Sequence, residues 1–114
     1  MYKNTGLSMF PTLRHGNWLL CNRMAYGLRL PGFNQPLILW RTPKVGEIVF
    51  FRSPRDGRLL VKRVVDPPEG QSLSSTHVWV EGDNAAGSCD SRHFGPVSLQ
   101  RVLGRATGCF GQSL

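Results

Sequence analysis

Apolar positions recur with a period of two along most of the chain, broken by Pro and Gly, and no window of a dozen residues carries a clean helical stripe between caps. The pattern predicts strands. After a turn at His15, Gly16 and Asn17, a first strand spans residues 18–22 (WLLCN); a second lies in 44–51 (KVGEIVFF) and a third in 58–65 (RLLVKRVV). The SPRDG between the last two supplies turn residues, so these two strands are expected to form a hairpin. The prolines of DPPEG (66–70) remove ladder donors and end the third strand. HVWVE (77–81) resumes the sheet, and a last short strand is expected over 101–106. Two stretches depart from the pattern. Residues 26–43, with three Pro and two Gly among bulky apolar groups, read as an irregular excursion. The polar segment EGDNAAGSCDSRHFGPV (81–97) reads as a long loop of the kind that carries function.

Composition narrows this to one domain over residues 1–114. At 114 residues, 40% apolar and 18% charged, the chain has room for a single core, and neither disorder nor a coiled coil fits. The net charge of +7 would favour an anionic partner. Its arginines, however, are scattered rather than run together as in a nucleic-acid arm, so solvated faces are the simpler reading and no nucleic-acid partner is expected. No stretch approaches the roughly 18 uninterrupted apolar residues of a membrane helix, and MYKNTGL lacks the plan of a secretory leader. Cys21, Cys89 and Cys109 are odd in number and form no CxxC pair, which argues for free or buried thiols. The three His show no metal-ligand spacing, so neither metal nor cofactor is expected.

Candidate chemistry sits in three patches: GLSMFPTL, LLVKRVV and the late polar segment. Ser8, between Gly6 and Pro11, is expected on extended or turned backbone whose amide is free to act as an oxyanion donor, although this patch taken alone favours a plain loop serine. Lys62 shares a strand face with Leu60 and Val64. Desolvation there would lower its pKa and let the neutral amine accept a proton, unless the side chain snorkels to water from an edge strand. His15, His77 and His93 make no Ser-His-Asp pattern and GLSMF is not a GxSxG elbow, which leaves Lys62 as the better base for a serine nucleophile.

In order and spacing, GLSMFPTL, PKVGEIVFF, LLVKRVV and GDNAAGSCDSRHFGPV resemble the type I signal peptidases, serine-lysine proteases that remove leader peptides, and their mitochondrial inner membrane peptidase relatives. The resemblance runs from about residue 6 to 106. It implies a small, mostly β, antiparallel barrel-like catalytic domain with irregular loops, in which Ser8 is the nucleophile and Lys62 the general base. Ser88 matches a serine that hydrogen-bonds and orients the lysine amine, and Met9 a residue packed beside that lysine to exclude water. Asp83, Asp90, Arg92 and Arg63 match ion pairs that brace the site.

The implied substrates are leader-bearing precursor proteins, bound as an added strand and cut after small residues in Ala-Xaa-Ala sites. The implied location is a membrane, on the extracytoplasmic face of a bacterium or at the mitochondrial inner membrane. Some family members place an oxyanion-donating hydroxyl where this chain has Gly6, so the second donor is unassigned. The family's N-terminal anchor helix is expected to be absent here, an anchor segment or partner subunit to be missing, and residues 26–40 with Met9 and Phe10 to offer an apolar docking surface. Two other readings fit parts of the pattern: a self-cleaving repressor-type serine-lysine protease, and a non-catalytic basic β domain that binds nucleic acid or anionic lipid.

Overall fold

The computed structural model describes residues 2–3, 9, 12, 18–23, 25–28, 38–39 and 41–110. Its strands are β1 (Tyr2–Lys3), β2 (Trp18–Asn22), β3 (Gly27–Leu28), β4 (Ile38–Leu39), β5 (Ile48–Arg52), β6 (Leu59–Val65), β7 (His77–Glu81), β8 (Val97–Ser98) and β9 (Val102–Phe110). Seven form one antiparallel sheet in the order β1-β2-β9-β5-β6-β7-β8. The antiparallel β class is as expected. The barrel-like closure is not, because β1 and β8 lie at opposite ends of an open ladder and nothing joins them among the described residues.

β2 and β7 fall where the alternation put them, and β5 and β6 form the expected hairpin. The turn expected at residues 15–17 lies outside the described residues. Within 26–43, the described parts form a short ladder, with Gly27 opposite Leu39 and Leu28 opposite Ile38. β9 pairs with both β2 and β5, and it is longer than the strand expected over 101–106 because residues 108–110 continue the ladder with β2. Gly104 allows this close approach: a Cβ there would stand 2.4 Å from the Asn22 carbonyl oxygen and 2.8 Å from the Phe50 ring. Gly104→Ala is therefore expected to destabilise the fold by about 1–3 kcal/mol, since backbone must shift to admit the methyl. Chemical denaturation of the variant checks this, and an unchanged midpoint would contradict the packing.

The polar segment is not loop throughout. Ala85–Gly87 make a single 3-10 turn, and Ser91–Phe94 form a four-residue helix, α1. Asp90 caps α1 by accepting from Arg92 N–H at 3.1 Å, while its own N–H donates to His93 Nδ1 at 3.3 Å. Gly95, at φ +81°, closes the other end and donates to the Ser91 carbonyl at 2.8 Å.

Strand alternation divides the core between two faces. Val49 and Phe51 of β5 join Val64, Val78, Val80 and Val97 on one face, where Phe94 of α1 meets Phe51 edge to face at 6.3 Å. Phe50 turns to the other face and clusters with Met9, Leu19 and Val61. Met9 and Tyr26 are 0% and 4% exposed, so neither belongs to an apolar docking surface; Phe10 lies outside the described residues. Among the described residues, no helix is long and apolar enough to cross a membrane.

Candidate active site

Lys62 lies near the middle of β6, on the face of Leu60 and Val64, with Val49 of β5 as its cross-strand partner. Only 3% of its surface is exposed. Burial pushes the amine below its ordinary pKa. The charges of Asp90 and Cys89 pull it partly back, and Arg92 pushes it further down. Among the described residues Lys62 forms no ion pair, because the nearby carboxylate is committed elsewhere.

That carboxylate, Asp90, is completely buried. It accepts from Gly82 N–H and Ser88 Oγ at 2.8 Å each, from Arg92 Nε at 2.9 Å and from Arg92 Nη2 at 2.5 Å. Burial alone would raise its pKa, but these donors outweigh burial and hold it well below the usual carboxylate range. The Ser88 hydroxyl thus directs its proton to Asp90 and keeps its lone pairs for an N–H donor. Arg63 grips Asp83 with two 2.9 Å bonds and reaches the Gly46 carbonyl at 2.8 Å.

Ser8 lies outside the described residues, but two residues of its segment are placed. Met9 is wholly buried with Val61, the residue before Lys62, in the cluster opposite the Lys62 face. Thr12 hydrogen-bonds Asp83, which Arg63, the residue after Lys62, holds in turn. Met9 and Thr12, both C-terminal to Ser8 in sequence, are thereby held against the residues that flank Lys62 on its strand.

Sequence reasoning missed a second polar hub. Glu47 accepts from Tyr26 Oη at 3.0 Å and Lys44 N–H at 2.9 Å, pairs with Arg41, and meets Arg105 Nη1 at 3.3 Å. Burial alone would raise its pKa, but the Lys44 amide, the Tyr26 hydroxyl and the two guanidiniums bring it below the ordinary value. Its partners are scattered along the chain, so no local spacing announces them. Asp90 and Gly95 at the two ends of α1 are cap residues that could have revealed that helix. Cys21 and Cys89 are free thiols, and among the described residues no three of His, Cys, Asp and Glu gather as a metal set.

Comparison with known proteins places this arrangement. The family described as "Signal peptidase, peptidase S26" matches residues 1–71 and 66–110. Mitochondrial ATP-independent inner membrane protease subunit 1a of Arabidopsis thaliana is 34% identical over 89% of this chain and 64% of its own length. Signal peptidase I of Pseudomonas aeruginosa is 40% identical over 87% of this chain and 37% of its own. Mitochondrial inner membrane protease subunit 1 of Mus musculus is 28% identical over 89% and 63%. The chain thus spans less than two thirds of the length of each of these relatives, and no solved structure matches it. With the family match extending across nearly the whole chain, from the segment around Ser8 through Lys62 to the end of β9, the chain belongs to the signal peptidase family, peptidase S26.

Proposed function

We propose that the chain is a serine endopeptidase that removes leader peptides from exported precursors after small residues, with Ser8 as nucleophile and Lys62 as general base. The observation that carries this reading is a lysine 3% exposed on an apolar strand face, its amine pushed toward neutrality by burial and engaged in no ion pair among the described residues. A neutral amine takes the serine proton as the hydroxyl attacks the scissile carbonyl, and the resulting ammonium returns that proton to the leaving amine. Water then hydrolyses the acyl-enzyme by the same route in reverse. The Ser8 N–H contributes to holding the oxyanion.

The strand edge supports an extended substrate. Both backbone groups of Val64 bond toward β5, the N–H to Glu47 O and the carbonyl to Gly46 N at 2.8 Å each. By alternation, Leu59 and Val61 direct theirs to the opposite edge. β7 pairs there only from Arg63 onward, so among the described residues the edge beside Lys62 has no strand partner and suits an added one. The relatives' names speak of an inner membrane protease, and we place the work of this chain at a membrane surface on precursor proteins.

Mass spectrometry of a precursor bearing an Ala-Xaa-Ala site, digested with the parent protein and with Ser8→Ala, tests the reading. Release of the mature chain by the parent alone is expected; equal release by both would overturn it. The rate should also depend on pH in one direction. The base works when deprotonated, so cleavage rises as pH climbs through the lowered Lys62 pKa and levels off above it. A profile flat from acid to alkaline pH would contradict Lys62 as the base.

A further inference from the structure

The turn joining β5 to β6 is braced from inside. Ser53, 4% exposed, donates its N–H to the Arg58 carbonyl at 2.8 Å, accepts from Gly57 N–H at 2.9 Å, and receives Arg55 N–H on Oγ at 3.2 Å. The Arg55 backbone is thereby fixed while its side chain leaves the hairpin altogether. Nη2 donates to the His93 carbonyl at 3.2 Å, and Nη1 lies 3.7 Å from Cys89 Sγ. The His93 carbonyl belongs to the end of α1, where a helix lacks internal donors and a cation is favourable.

Arg55 therefore spans two chain segments that both serve Lys62. One is the hairpin, whose second strand begins at Leu59 and carries Lys62. The other is the stretch from Ser88 to His93. It contributes the groups whose charges act on the Lys62 amine: Asp90, Cys89 and Arg92.

We propose that Arg55 is a positioning residue of the site, tying the β5–β6 turn to the Cys89–His93 stretch and so fixing the corner formed by Ser88 and Asp90 against the strand that carries Lys62. The proposal rests on Lys62 as the base, and it assigns Arg55 no contact with substrate. Without the tie the corner loosens, water reaches the amine, and the desolvation that lowers the Lys62 pKa weakens. The exposed position of Arg55 means that its replacement leaves the core intact.

The test uses Arg55→Ala and Arg55→Lys in the full chain with lysines labelled at Cε, of which there are only three: Lys3, Lys44 and Lys62. In Arg55→Ala, the NMR titration of Lys62 is expected to move up by about half a pH unit or more, and alkylation of Cys89 by iodoacetamide to quicken several-fold. Precursor cleavage is expected to lose about tenfold in kcat with KM within about twofold. Arg55→Lys, which can engage one partner at a time, should recover part of each effect. An unchanged Lys62 titration together with unchanged Cys89 alkylation in Arg55→Ala would overturn the proposal. The titration and the alkylation need no peptidase activity, so a parent protein that cleaves nothing would refute the proposed function while these two readouts still decide the role of Arg55.

Discussion

Lys62→Met is expected to yield a protein at least as stable as the parent that cleaves no precursor. Methionine fills nearly the same volume on the apolar face between Leu60 and Val64 without carrying a charge there. Removing an amine that is 3% exposed relieves its desolvation, and Asp90 loses nothing essential because Arg92, Ser88 and Gly82 N–H already satisfy it. Stability should stay level or rise by about 1–2 kcal/mol, as when buried charges are replaced by well-packed apolar groups. Cleavage, in contrast, should fall by about 10³-fold or more, because the serine hydroxyl is a poor nucleophile at its own pKa without a base in reach. Thermal melts and kcat/KM on one precursor give both numbers. A variant that retains activity would remove Lys62 from the mechanism, and one that unfolds would show that the amine is a structural group.

Asp90→Ala should do the opposite, unfolding the site from within. The carboxylate is fully buried and gathers donors from Gly82, Ser88 and Arg92; its loss strands those donors and breaks the cap of α1. About 3–5 kcal/mol is expected from breaking such a buried charge pair. For a chain of this size that corresponds to a fall in Tm of about 15 °C or more.

The sign of the pH dependence follows from the direction of the shift. The folded pKa of Asp90 lies well below the unfolded value of about 3.9, so its contribution is fully present above that value and is lost as pH falls toward the folded one. The stability gap between parent and variant should therefore be widest near neutrality and narrow below about pH 4. Urea denaturation at pH 7 and pH 3 measures it. A gap that stays constant would mean that Asp90 does not carry the acid sensitivity.

The sheet was largely readable because β2 and β7 alternate between clear breakers, and the charge of Lys62 between Leu60 and Val64 was an anomaly that a strand makes visible. β9 was under-read for a physical reason. Gly108 interrupts the pattern just past the expected end, and the extended state of residues 108–110 is imposed by their pairing with β2. α1 was missed because four residues cannot establish a helical period, although its caps were in view. The Glu47 hub could not be read at all, since Tyr26, Arg41 and Arg105 meet only after the chain has folded. The resemblance to the signal peptidases implies Ser8 and Lys62 as partners, but the Arg55 tie between the hairpin and α1 is visible only in three dimensions.

The most direct measurement is the separation of Ser8 Oγ and Lys62 Nζ in a crystal structure of the protein, determined at a pH where it is active. The account predicts a hydrogen bond of about 3 Å between them, on the Val49 side of the β5–β6 hairpin. A Ser8 hydroxyl found on the opposite face, in the cluster of Met9, Leu19, Phe50 and Val61, would contradict it.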